Sequence, residues 1–445
     1  MRAMTGTGRQ HGDTGLPGPQ PRPASTEGAA GLARAGAAGP DRAQRVAPRG
    51  RVLRAGAGFW IVAYGFCVTM AFAAVPAPLY VLYQARDGFG AILVTVIFAA
   101  YAVGVVASLL LAGHTSDWLG RRRLMLAALL VSLASGVVFL TWPTTAGLIV
   151  ARVISGISVG MLTATATAYL SELHAAARPA ARPARAEITS TGANIGGLGL
   201  GALLAGLLAQ YAGAPLRLPY AVSEALMLAA VVALAAVPET VSRPNPRPAY
   251  RAQRIMVPPA QRPLFIAAGC AAATAFALFG FFTSLAPGFL AGTLHEHSHA
   301  LAGLAAFVVF GSAAVAQIVV AGRELRSQLG IGLAALAAGL VLVTAAVWAA
   351  SLPLLLAGGA LGGAGAGAAF KGCISTVISI APARSRGEAL AGLFVAAYVG
   401  ITLPVIGLGV ATQLLSTRAA VLGFGVVLLA VVAAVSVRLL RRPAA

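Results

Sequence analysis

Apolar residues run along this chain in long unbroken stretches, without the alternation of a half-buried strand or the single stripe of a surface helix. About 20 apolar residues in a helix rising about 1.5 Å each span the roughly 30 Å hydrocarbon core of a bilayer. Twelve stretches meet that measure, at about 58–82, 90–112, 124–142, 145–171, 187–211, 218–238, 264–290, 300–321, 329–350, 353–380, 388–412 and 418–438. The pattern predicts an all-α membrane protein of twelve transmembrane helices. An even number of crossings brings both ends of the chain to one side.

The arginines fall between these stretches and orient them. Loops on the side of the termini hold fifteen, among them Arg121, Arg122, Arg123, Arg243 and Arg247, whereas the opposite loops hold Arg86, Arg217 and Arg418. Basic loops stay in the cytoplasm, so both termini are expected there. A missed span would scatter neighbouring clusters over both sides. The organisation read from this pattern begins with a basic cytoplasmic tail, 1–57, rich in Ala, Gly, Pro and Arg and expected to be disordered. A six-helix half over 58–238 follows, then a cytoplasmic linker over 239–263 rich in Pro and Arg, a second six-helix half over 264–438, and a short tail over 439–445. The linker carries Arg243-Pro244-Asn245-Pro246-Arg247-Pro248, a composition suited to an extended connection.

Composition narrows the function. Hydrophobic residues make up 58% of the 445 and charged residues 10%, too few charges to cover a water-soluble surface. The net charge of +20 could point to nucleic acid, but the arginines form no stripe interleaved with aromatics. The partner they imply is a lipid bilayer, and no nucleic acid is expected. Cys67, Cys270 and Cys373 lie inside apolar stretches with no metal-ligand spacing. No Gly-x-Ser-x-Gly elbow, His-Glu-x-x-His helix or phosphate-cradling loop occurs. An enzyme and a nucleotide-driven pump are therefore disfavoured, and no cofactor is expected.

The most specific motif is Gly113-His114-Thr115-Ser116-Asp117-Trp118-Leu119-Gly120-Arg121-Arg122-Arg123, between the second and third stretches. It resembles the loop pattern G-x-x-x-D-x-x-G-R-[RK]-[RK] of the major facilitator superfamily. That resemblance implies two six-helix halves rocking about a central site. It also implies a latch at this loop, with Gly113 and Gly120 permitting close approach and a sharp turn and Asp117 accepting from a helix N-terminus or pairing with arginine. Glu172 and Arg185 flank the next cytoplasmic loop, and Arg386 and Glu388 lie in Pro382-Ala383-Arg384-Ser385-Arg386-Gly387-Glu388. Both boundaries resemble those of sugar-porter-like members and are expected to join a salt-bridge network with Asp117 and Arg121.

Residues of the translocation path are expected among the polar groups inside the stretches. Arg152, in Arg152-Val153-Ile154-Ser155-Gly156, resembles the family's R-x-x-x-G pattern and lies deep enough to need a partner or a wet cavity. Asn194 belongs to Gly192-Ala193-Asn194-Ile195-Gly196-Gly197-Leu198-Gly199-Leu200-Gly201. That segment partly resembles the antiporter pattern G-x-x-x-G-P-x-x-G-G, with Gly197 in place of proline and Leu200 in place of glycine. Glu224, desolvated near the outer end of the sixth stretch, could carry a proton, or could sit at the outer interface. Lys371, the chain's one lysine, is a coupling candidate or a side chain snorkelling to the inner surface. Tyr64 and Tyr398 are candidates to line the path, although aromatics near span ends more often anchor to the interface. Pro76 and Pro78 should break the first stretch, and broken helices often line transport sites. His295, His297 and His299 read as ordinary loop polarity, and no metal is expected.

The function expected is secondary active transport of a small organic solute, with proton-coupled export by alternating access. Uptake of a sugar or another metabolite is the alternative, and a non-transporting membrane sensor is the alternative of another class. The location expected is a bacterial-type plasma membrane, with the protein acting as a monomer on a small-molecule substrate and protons.

Overall fold

The computed structural model describes residues 49–112, 119–181, 183–241, 257–382 and 385–440, with side chains described from Ala55 onward. Twelve helices among them are long and apolar enough to cross a membrane. They are α1 (Ala55–Asp87), α2 (Ala91–Leu111), α3 (Arg121–Thr141), α4 (Thr145–Ala177), α5 (Ala184–Tyr211), α6 (Leu218–Ala235), α7 (Pro259–Gly292), α8 (His299–Val320), α9 (Leu325–Ala349), α10 (Leu352–Ile380), α11 (Arg386–Leu414) and α12 (Thr417–Leu440). No strand occurs among the described residues. The first helical run already begins at Arg49, ahead of the boundary expected at 58. Arginine is a good helix former, and adding a turn to an existing helix costs little.

These helices are apolar on all sides, as lipid-solvated helices should be. Val232, Leu228, Val315, Leu403 and Val426 are all more than half exposed, an arrangement only hydrocarbon tolerates in such number. Helices α6 and α12 are one-third buried, against 72% for α1, so they lie at the periphery while α1 lies near the centre.

In the first half, α4 packs on α1, α2 and α3, and α6 packs on α1 and α3. In the second, α10 packs on α7, α8 and α9, and α11 on α7. The halves meet along two seams, α5 against α8 and α2 against α11. Both ends of the described chain lie on one face, here the terminal face, and the opposite face is the distal one.

The seams are tightest toward the distal face. A Cβ added at Gly206 of α5 would strike the carbonyl of His299 and the backbone of Gly303 on α8, so glycine is required for these helices to touch. The His299 backbone N–H donates to Gln210 Oε1 at 2.8 Å, and Thr95 of α2 packs on Gly409 of α11.

Three helices depart from regular geometry beside the central space. Helix α1 breaks after Ala74 into a 3₁₀ turn, Ala77–Leu79, where Pro76 and Pro78 remove backbone donors. Helix α5 widens into a π-turn at Gly192–Gly196, and α7 does so at Phe281–Leu285. Such turns free backbone groups and re-aim side chains, which is why they recur at functional sites.

Candidate functional site

A cavity of about 490 Å³ lies between the halves. Its deep end is aromatic: Phe98 and Tyr101 from α2, Phe276 and Phe279 from α7, and Phe370 and Tyr398 from α10 and α11. The rings contact one another, with Tyr398 set edge-on to Tyr101 and Phe276 at centroid distances of 6.3 and 5.8 Å. Toward the terminal face the wall turns polar through Thr163, Thr167, Ser190, Asn194 and Gln317. Thr167, Ser171, Pro183 and Glu187, at that end, are exposed, so the cavity opens on the terminal face.

Arg152 sits at the deep end with 3% of its surface exposed. Its Nη1 donates to the carbonyl of Ala73 at 2.7 Å. That carbonyl lies where α1 ends at its proline break, so the break supplies the acceptor. The guanidinium lies 4.7 Å from the Tyr101 centroid and 5.4 Å from that of Phe98, within cation–π range. Its Nε has no partner, and among the described residues no carboxylate pairs with it. The guanidinium is thus a buried cation with one donor left unsatisfied.

Lys371 of α10 forms an ion pair with Glu187 of α5. The pair joins the two halves within the cavity wall, and both members are reached by solvent. Two cations and one carboxylate thus line the cavity, leaving one positive charge in excess among the described lining residues.

A second polar cluster gathers at the terminal face, built from the first half and the two residues that follow it, Glu239 and Thr240. Gly120, at φ +104°, turns the chain into α3, a conformation that side chains with a Cβ rarely adopt. The Glu239 carboxylate accepts from the backbone N–H of Arg121 at 2.8 Å and Arg122 at 3.5 Å, capping α3 with negative charge at its positive end. Arg121 Nε donates to Glu172 at 3.1 Å, Thr240 donates to the same carboxylate, and the Tyr169 hydroxyl donates to the Pro238 carbonyl at 2.6 Å.

The sequence model of the Major Facilitator Superfamily matches residues 60–324, more than half of the chain. The chain belongs to the major facilitator superfamily. Among solved structures, the human organic anion transporter MFSD10 (TETRAN) aligns at 18% identity and a TM-score of 0.64, covering 86% of this chain and 99% of that one. A bacterial homologue of the human lysosomal transporter Spinster, in an inward-facing and unoccupied conformation, aligns at 14% identity and a TM-score of 0.65, covering 87% of this chain and 93% of its own. At these identities both show a shared fold. No curated protein matches the sequence. As a major facilitator protein, the chain is a membrane transporter of a solute, built on twelve helices in two halves.

This major facilitator chain brings Arg152, Asn194, Lys371 and Tyr398 into one cavity. The π-turn of α5 carries Asn194 there. Lys371 meets the counter-charge of Glu187, which is exposed at the terminal end of the cavity. Two candidates lie elsewhere. Tyr64 is 37% exposed and donates to the Leu226 carbonyl at 3.0 Å, tying α1 to α6. Glu224 points away from the cavity, against Gly136 of α3. Both residues lie outside the cavity for one reason, which is that α6 lies at the edge of its half.

Among the described residues, one ion pair of the expected latch network is present. Arg121 and Glu172 meet, but Arg185 lies 5.5 Å over the ring of Trp60 instead of pairing with Glu172. Among the described residues Arg386 and Glu388 make no ion pair. Gly113, Asp117 and Arg384 lie outside the described residues. The sequence reading missed Glu239 and Glu187. Their signal was acid placement, Glu239 in Pro238-Glu239-Thr240 just past a span and Glu187 in the first turn of another, in a chain with 12 acids.

Proposed function

We propose that this protein is a secondary transporter of a small amphipathic organic anion, moved by alternating access and exported from the cytoplasm in exchange for protons. The observation that carries the substrate class is Arg152, a buried cation with an unused donor among aromatic rings and without a carboxylate partner among the described residues. An aromatic or aliphatic carboxylate, sulfonate or sulfate would place its charge on the guanidinium and its apolar body among Phe276, Phe279 and Phe370. A neutral sugar needs a hydrogen-bonding partner for nearly every hydroxyl, and the aromatic deep end offers few. The name of the structural relative MFSD10, an organic anion transporter, agrees with the same class.

The glycine-rich face of α5 supports alternating access. Gly197 and Gly201 press on α1, while Gly199 presses on Phe307 and Phe310 of α8. One helix thereby makes close, small-residue contact with both halves, which lets them slide without a large change in packing. Arginine bias supports a cytoplasmic position for the terminal face, where the cavity opens. Loading from that side agrees with export. A bacterial-type plasma membrane and a monomeric state belong to the same reading.

The test is reconstitution into liposomes with an internal pH dye and a panel of aromatic anions, neutral sugars and organic cations. An anion moving against a proton current supports the proposal. Movement of sugars alone overturns the substrate class, and anion flux without proton flux overturns the coupling.

A further inference from the structure

Glu224 lies six residues into α6, about 9 Å from its distal end. One carboxylate oxygen is fully buried and has no hydrogen-bond partner. It rests where a side chain at Gly136 of α3 would stand, so α3 leaves a notch for it. An ionised carboxylate at this depth, without a donor or counter-charge, is costly. A protonated one costs far less.

The groups facing this place come from each neighbouring helix. Helix α6 itself supplies Tyr220, one turn toward the distal face, and Arg217 at its start. Helix α3 supplies Ser132, one turn from Gly136, with a buried hydroxyl lacking a partner. Tyr64 of α1 is bonded to Leu226, and Arg152 of α4 donates to Ala73. Among the described residues none pairs with Glu224.

A polar line runs from the distal surface to within one helical turn of Glu224, without a hydrogen bond to it. Tyr220 stacks on Phe139 at 4.6 Å, and its hydroxyl accepts from Tyr83 at 3.1 Å. The ring of Tyr83 lies 5.2 Å from the guanidinium of Arg86, which pairs with Asp87 at 2.6 Å at the end of α1. Tyr220 and Glu224, four residues apart, share one face of α6.

We propose that Glu224 is a proton-binding site placed outside the substrate cavity, in the notch between α3 and α6, and reached from the distal face past Tyr83 and Tyr220. Ionisation there draws water between α3 and α6 and loosens their contact, and reprotonation closes it. The site lets a proton and an anion be carried without sharing a cavity. Its part in transport rests on the proton-exchange reading above, whereas the site itself rests on the notch.

Carbodiimides modify carboxylic acids in apolar surroundings and do so only when these are protonated. The purified full chain in liposomes is treated with dicyclohexylcarbodiimide between about pH 5 and pH 9, a range that brackets buried glutamates, and adducts are mapped by mass spectrometry. The expected result is an adduct on Glu224 that falls at least tenfold from the acid to the alkaline end and is unaffected by excess benzoate or by Arg152→Gln. Glu224→Gln should lose the adduct and the pH dependence of transport while still binding benzoate. Glu224→Asp, whose shorter side chain keeps the acid, controls for folding and should retain partial labelling. Absence of an adduct at every pH, labelling that does not vary with pH, or protection by benzoate overturns the site. A pH-dependent adduct together with benzoate flux lacking any proton flux leaves the site standing and overturns the exchange reading instead.

Discussion

Arg152 on α4 reaches across to α1 and donates to the carbonyl of Ala73 at 2.7 Å, so the cavity's deepest charge is held by the helix break that Pro76 and Pro78 create. The arrangement leaves Nε unused and the guanidinium between two aromatic rings.

Arg152→Gln removes the charge, and Arg152→Lys keeps it but loses the planar fork. A hydrogen bond to a charged group is worth about 1.5–3 kcal/mol, or roughly 10–100-fold in affinity. Both variants are expected to weaken anion binding by that factor, with lysine the milder. Isothermal titration on detergent-purified protein reads the change, and unaltered affinity in Arg152→Gln would remove this residue from the binding site.

The Lys371–Glu187 pair is partly exposed, with 21% and 46% of the two side chains accessible, so its stability contribution is held to about 0.2–1 kcal/mol. Its role is in linking the halves. Glu187→Lys alone and Lys371→Glu alone should each cut transport several-fold with little change in melting temperature. The double exchange should restore most of it. Failure of the double exchange to recover activity, with protein still folded, argues that each charge acts on substrate independently.

Glu239→Ala removes the cap of α3. Loss of an N-terminal cap costs about 0.5–2 kcal/mol, and thermal unfolding in detergent should shift downward accordingly. Gly120→Ala is expected to do at least as much harm, because its backbone at φ +104° strains a residue with a Cβ and that Cβ would meet the Glu239 carboxylate. A Gly120→Ala protein as stable as the parent would contradict the turn described.

Gly206→Val places methyls against the His299 carbonyl and Gly303. The distal seam should fail to close, shifting the population toward a distal-open form. A Thr95→Cys reporter, on the α2–α11 seam against Gly409, should react with a membrane-impermeant maleimide about tenfold faster in the Gly206→Val background, a shift of about 1.4 kcal/mol.

Much of the site was legible where one residue type carries one cost. A charge inside an apolar stretch must be reconciled with lipid, which marked Arg152, Glu224 and Lys371 from position alone. The same argument could not sort them, because all three bear the same desolvation cost while only two face the cavity. Polarity within a span marked Asn194, Tyr398 and Tyr64 alike; the first two line the cavity, whereas Tyr64 does not, because α6 offers its hydroxyl a carbonyl at 3.0 Å.

Hydrophobic length, arginine placement and proline position by themselves determined the twelve crossings, the arginine-rich side and the break in α1. Each is a local property, set by the cost of putting a given residue into hydrocarbon or into a helix. Tertiary structure alone decided which faces of those helices meet. The aromatic end of the cavity, the Lys371–Glu187 bridge, the Glu239 cap and the notch at Gly136 all depend on helix rotation and neighbour order. An evenly apolar helix carries no stripe to announce its rotation, because lipid is as apolar as a helix interface, so packing among small residues makes that choice.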